Sequence, residues 1–239
     1  MSKVPQIGFD RFIQIEWVAA ALRVCIGSAD LDELEGLLDS SGLGPEAKAK
    51  TRTKLKAMAM EPRSDLADFI GRGVGHFAIP LSSADVAPFA WGAAIAAYPY
   101  FGKVAEFTGR LTAIQGDCSV AEIHRRMSEV YGDRQVTKRA TQAVLQTQAN
   151  WGAIERVEMG KRLVRTAARR LDDPHMVGWL IEAALRYHGR PISLATLQST
   201  AVLYPFVLDQ PLAYVISNSD TLELRLEGAN QQFAGLRSA

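Results

Sequence analysis

A mainly α protein, helical with a winged helix-turn-helix inside it and a C-terminal β-hairpin, is what these 239 residues predict. Three observations predict it. Apolar residues recur at helical spacing through most of the chain, bounded by capping residues and glycine stops. Strand-like patterning is confined to two places, around Met159-Gly160 and around Asn218-Ser219-Asp220. Ahead of the first of these stand a capping box, a short polar turn and a long amphipathic helix, in the order a winged helix requires.

Residues 1–62 read as a tri-helical unit. "FDRFIQIEWVAAALRVCIG" has helical spacing and stops at Gly27, a residue type that takes the left-handed conformation beyond a helix end. Asp30 and Glu33 have capping-box spacing, and Leu31, Leu34, Leu37 and Leu38 mark one apolar face. "GPEAKAKTRTKLKAMAM" puts Pro45 in a first turn and aligns Ala47, Thr51, Leu55 and Met58 inward. Its outer faces carry Lys48, Lys50, Arg52, Lys54 and Lys56, and Pro62 closes the unit.

Residues 63–102 read as connecting helices. A helix around "DLADFIG" runs into "GRGVGH", which lacks the preceding strand and following helix of a phosphate-binding loop and reads as a flexible linker. A buried alanine-rich helix follows from about Pro88 to Ala97. The uncharged run from Val86 to Gly102 is too short and too rich in alanine and proline to span a bilayer, which takes about 20 strongly apolar residues.

Residues 103–171 read as the winged helix-turn-helix. "SVAE" from Ser119 to Glu122 is a capping box; Ile123, Met127 and Val130 give the inner face of the helix it opens, and Gly132 ends that helix. A second helix starts from about Thr137, with Ala140, Val144, Leu145 and Gln148 or Ala149 inward and Lys138, Arg139, Thr141, Gln142 and Gln146 outward. Arginine and lysine suit guanine edges and phosphates, and glutamine can pair with adenine, so such a helix fits a major groove. "AIERVE" and "RLVRTA" then form two strands about a glycine turn, with Lys161 and Arg162 at the tip and Ile154, Val157 and Leu163 or Val164 packed inward beside Trp151.

Residues 172–239 read as a helix, "MVGWLIEAALRYHG", ended by Gly189, and a hairpin of "PLAYVIS" with "TLELRLE".

The net charge is only +1, so any affinity for nucleic acid must come from local asymmetry. Ser119 to Arg170 supplies it, with 11 Lys and Arg against 5 Asp and Glu. Cys25 and Cys118 lie far apart with no CxxC and no clustered histidines, which suits neither a disulfide framework nor zinc and fits a reducing, cytoplasmic setting. The start of the chain has no apolar core of a secretory signal. The histidines lack ligand spacing, and "DTLELR" departs from a nuclease metal site because Arg225 stands in place of lysine. The expectation is therefore no enzyme, no cofactor, no metal and no small-molecule ligand.

"LDELEGLLDSSGL" followed by "KTRTKLKAM", and the later "YGDRQVTKRATQAVLQTQANWGAI", resemble the small helical BrxA-type proteins of bacterial phage-exclusion (BREX) systems. The resemblance implies a non-enzymatic protein that binds double-stranded DNA as an accessory of a phage-defence system, with other proteins of the same operon as further partners. By it, Arg134, Lys138, Arg139, Gln142, Lys161 and Arg162 are the reading and phosphate-binding residues. The full set of expected DNA contacts adds Arg125, Thr137, Gln146 and Arg165, with Lys48, Arg52 and Lys56 as a second contact. A winged-helix protein–protein adaptor and a transcriptional regulator are the alternative readings.

Overall fold

The computed structural model describes residues 6–76, 83–227 and 231–237. They are mainly helical, with small sheets. The first helices are α1 (Ile15–Cys25), α2 (Leu31–Ser40) and α3 (Pro45–Leu55), and α3 runs on through one π-helical turn to Met60. Local chemistry sets their limits: Gly27 takes φ 72°, the Asp30 carboxylate accepts from the Glu33 amide at 3.3 Å, and Pro45 opens α3. Leu34 and Leu38 are fully buried. Leu31, expected on the same face, is 44% exposed because it is the first residue of α2, ahead of the turn that packs on α1.

The segment "GRGVGH" is not a linker. It lies inside α4 (Ala67–His76), which with α5 (Ser83–Ala97) grips α9 (Pro174–His188). The glycines are there for a tryptophan. A Cβ at Gly73 would stand 2.8 Å from the Trp179 indole, and one at Gly92 would stand 2.2 Å from it. The indole stacks between Phe69, at 4.5 Å, and Phe89, at 5.4 Å, and its Nε1 donates to the Phe69 carbonyl at 2.9 Å. Such a slot buries a large apolar surface with its one polar atom satisfied.

Next come α6 (Pro99–Gln115), β1 (Asp117–Ser119), α7 (Val120–Tyr131), α8 (Gln135–Asn150), β2 (Ile154–Val157) and β3 (Arg162–Arg165). The three strands form an antiparallel sheet in the order β1-β3-β2, with Cys118 opposite Leu163 and Arg156 opposite Leu163 on the other side. The short β4 (Arg169–Leu171) and β6 (Phe206–Leu208) pair in parallel, so strands are not confined to the wing and the C-terminal hairpin as expected. Both are too short to declare themselves by alternation.

The chain closes through β5 (Ile192–Ser193), α10 (Leu194–Gln198), α11 (Leu212–Ser217), β7 (Leu222–Glu227) and β8 (Gln231–Leu236). "PLAYVIS" is thus helix and not strand. Leu212, Val215 and Ile216 bury one face at helical spacing, which outweighs the weaker two-residue alternation. The hairpin is β7 with β8, one element later, and β5 joins it in the order β5-β8-β7.

The element order α6-β1-α7-α8-β2-β3 therefore recurs as α9-β5-α10-α11-β7-β8, with the same strand order, except that a short helical turn and β6 are inserted between α10 and α11. Each copy has a serine at the same junction: Ser119 Oγ accepts from the Glu122 amide at 3.0 Å, and Ser193 Oγ from the Thr196 amide at 3.2 Å. One apolar cluster runs through the whole molecule from Phe9 to Ala234. The segment before α1 is pinned to the far end of α8: the Ile13 amide donates to Thr147 Oγ1 at 3.0 Å, the Ile15 amide to Asn150 Oδ1 at 2.8 Å, and Trp151 Nε1 to the Ile13 carbonyl at 3.0 Å. Among the described residues no helix is long and apolar enough to cross a membrane.

Candidate nucleic-acid interface

The candidate site is α7, α8 and the β2–β3 ribbon. Ile123, Met127 and Tyr131 bury one face of α7, whereas Val130, expected there, is 40% exposed. Tyr131 takes its place, edge-on to Tyr100 with ring centroids 4.7 Å apart. Gly132, at φ 84°, ends α7, and after Asp133 and Arg134 the next helix starts at Gln135, slightly ahead of expectation.

Helix α8 contains no acidic residue. Its buried side is unusually polar, and this overturns the outward placement of Thr141. Thr137 is buried and its Oγ1 donates to the Gly132 carbonyl at 2.9 Å, so it has no face toward a ligand. Thr141 is buried too, sharing a hydrogen bond with the Tyr100 hydroxyl, which lies 2.8 Å from both Thr141 Oγ1 and the Thr137 carbonyl. A threonine hydroxyl can be satisfied by its own helix, so polarity alone did not reveal which way these two point.

The opposite side of α8 is a stripe of Gln135, Lys138, Arg139, Gln142 and Gln146, the first three exposed and the two later glutamines half-buried. Lys138 lies 3.1 Å from Asp133. Arg139 forms no ion pair among the described residues. Arg134 is exposed, with Nη2 donating to the Tyr131 carbonyl at 3.0 Å. Gln135 belongs to this stripe but lay ahead of the helix start read from sequence.

The ribbon turns through Glu158, Met159 and Gly160, all at positive φ. Its tip is therefore not Lys161 and Arg162. Met159 stands there, 96% exposed, and Lys161 follows it, exposed and in no ion pair among the described residues. Arg162 is drawn back onto Asp117 of β1 and lies 3.6 Å from Glu158. Arg165 faces inward, donating to the Tyr204 carbonyl and lying over the Tyr204 ring at 5.4 Å. Arg156 was missed by sequence reading; its guanidinium crosses the turn against Gly160, where a Cβ would approach it to 2.9 Å.

Arg125 is exposed but bonded to Glu122 and Glu129. Hydrogen bonds from Arg125 and Arg126 hold the Glu122 carboxyl down to about 2. On α3 the basic residues are answered by acids: Lys48 by Asp39, Arg52 by Glu35 through two hydrogen bonds, and Lys56 by Glu61 at 2.7 Å. The second copy of the fold carries no charge on its equivalent helix, since α11 is LAYVIS. The basic, acid-free helix is a property of α8 alone among these two.

His124 lies on α7 and is half-buried; burial, and then the nearby Lys138 charge, pull its pKa below the usual histidine value. Burial also lowers that of His188, against Glu106 and with Arg190, Lys103 and Arg110 adding to the effect. The unfolded imidazole titrates near pH ~6.5. Because both folded values are lower, the stability tied to the neutral rings is complete above that pH and is lost as pH falls toward the folded values. The thermal midpoint should therefore drop as pH falls below about 6.5, before Glu122 titrates, and His124→Gln should shallow that drop. A midpoint flat across that window would refute the assignment. Among the described residues no group of three or more His, Cys, Asp and Glu could hold a metal ion.

Comparison with protein-family models, with curated proteins and with solved structures finds no match to this chain.

Proposed function

We propose that residues 99–165 are a winged helix-turn-helix that binds double-stranded DNA without catalysing a reaction, with α8 in the major groove and the β2–β3 ribbon along the backbone. The observation that carries this reading is the acid-free outward stripe of α8. The short glycine-containing connection from α7 to α8 is the kind that sets a recognition helix at an angle to its partner. Further support comes from the start of α8, which has no side-chain cap, as suits a helix whose first turn meets a phosphate. Sequence resemblance adds the cellular setting: a cytoplasmic accessory role in bacterial phage exclusion, alongside proteins of the same operon.

Arg134, Lys138, Arg139 and Lys161 are the backbone-facing charges, and Gln142 the base reader. Four phosphate contacts give a log–log salt slope of about −3.6. Lys161→Ala should weaken specific and random duplex equally and flatten that slope by about one unit, whereas Gln142→Ala should weaken only the preferred site, by about 1–3 kcal/mol. Fluorescence anisotropy over a salt series measures both. Absence of binding at about 50 mM salt, where non-specific affinity is at its strongest, would refute the reading. In that case the bare Met159 at the ribbon tip favours the second reading, a winged-helix adaptor that holds a protein partner.

A further inference from the structure

Away from α8, four arginines from three separate parts of the chain line one cavity of about 400 Å³. Arg63 stands beside the short helical turn Ser64–Leu66, Arg186 and Arg190 lie at the end of α9, and Arg225 comes from β7. Two of them are what a helix C-terminus ordinarily attracts. Arg63 and Arg225 are not, because they come from other elements. Asp65 is the one carboxylate in the lining.

The charges are not balanced locally. Arg63 has Asp65 at 3.2 Å, and Arg225 donates from Nε to Glu223 at 2.6 Å. Arg186 shares its acid: Glu182, only 2% exposed, accepts from Arg186 Nη2 at 2.8 Å, from Arg72 Nη2 at 2.8 Å and from the Thr221 hydroxyl at 2.7 Å. Two guanidinium groups on one buried carboxylate leave a surplus positive charge. Arg190 adds a second, with no ion pair among the described residues. The remaining wall is apolar, with Leu66 and Leu185 buried, and a low-dielectric wall strengthens the pull on an anion.

We propose that this cavity binds a small polyanion of the phosphate-ester or pyrophosphate class. Its volume lies within the range of small-molecule sites, roughly 300–1,000 Å³. Guanidinium forks match phosphate oxygens two at a time, which lysine does not do. A ligand here ties the segment before α4 to α9 and to the C-terminal sheet.

The test is isothermal titration with inorganic pyrophosphate at constant ionic strength, on the intact chain and on Arg190→Ala, Arg225→Ala and Lys161→Ala. Saturable one-to-one binding is expected, weakened about tenfold by Arg190→Ala and by Arg225→Ala, as loss of a charge-assisted contact implies, and unchanged by Lys161→Ala. Arg190 is exposed, so its variant should melt as the parent does, and a melting curve checks this. No saturation at millimolar pyrophosphate, or equal weakening by Lys161→Ala, overturns the site. So does displacement of pyrophosphate by a short duplex, which would assign the cavity to a nucleic-acid backbone. Saturable pyrophosphate binding and its weakening by Arg190→Ala and Arg225→Ala are independent of whether α8 binds DNA.

Discussion

Duplex binding should fall by about 100-fold or more in the double variant Lys138→Glu/Arg139→Glu, while thermal stability stays within a degree or two of the parent. Each substitution removes one cation and adds one anion on the outward stripe of α8, so two attractive contacts become two repulsive ones. Losses of about 1.5–2 kcal/mol per position compound to that factor. Both side chains are exposed, and neither contributes to the core. Surface changes of this kind seldom move stability by more than about 0.5 kcal/mol. The same pair of changes on α3, Lys48→Glu/Arg52→Glu, should leave binding intact, because those charges are already answered by Asp39 and Glu35. Equal loss of binding from both pairs would point to general charge and against a reading helix.

Trp179→Ala should be strongly destabilising, at about 3–5 kcal/mol. It empties a slot between two parallel rings and strands the Phe69 carbonyl that now accepts from the indole. Typical domains hold only about 5–15 kcal/mol in all, so the variant should sit near the edge of unfolding. The glycines make the argument sharper. Gly92→Ala alone should cost stability, since its Cβ would stand 2.2 Å from the ring. In the Trp179→Ala background the same change should instead stabilise, by up to about 1 kcal/mol, because the clash is gone and alanine favours a helix. Urea denaturation of the four chains gives the coupling energy. Additive effects would mean that the slot does not explain the glycine.

Elements governed by local chemistry were legible. The caps at Asp30 and Ser119, the opening proline Pro45, the stops at Gly27, Gly132 and Gly189, and the two strands about Met159-Gly160 all depend on residues close in sequence. What depended on distant contacts was not. "GRGVGH" looked like a broken linker because its partner, Trp179, lies more than a hundred residues away. "PLAYVIS" suits either period, and only the surface it packs on decides for helix. The site divided the same way. The outward Lys138, Arg139 and Gln142 followed from helical periodicity, but the inward Thr137 and Arg165 are placed by Tyr100 and Tyr204. The recurrence of one element order escaped notice because its two copies share topology and a capping serine, but little else in side chains.

The pinning of Ile13 and Ile15 to Thr147, Asn150 and Trp151 carries a consequence for biosynthesis. These bonds join positions 134 to 138 residues apart. At an elongation rate of about 5–20 residues per second, the chain before α1 is made roughly 7–28 s before the groups that will hold it exist. During that interval Phe9 gains Tyr98 and Phe101 only once α5 and α6 have followed, and Ile13 lacks the end of α8 that fixes its backbone. Nascent chains shorter than about 150 residues should thus recruit holding chaperones, and longer ones should release them.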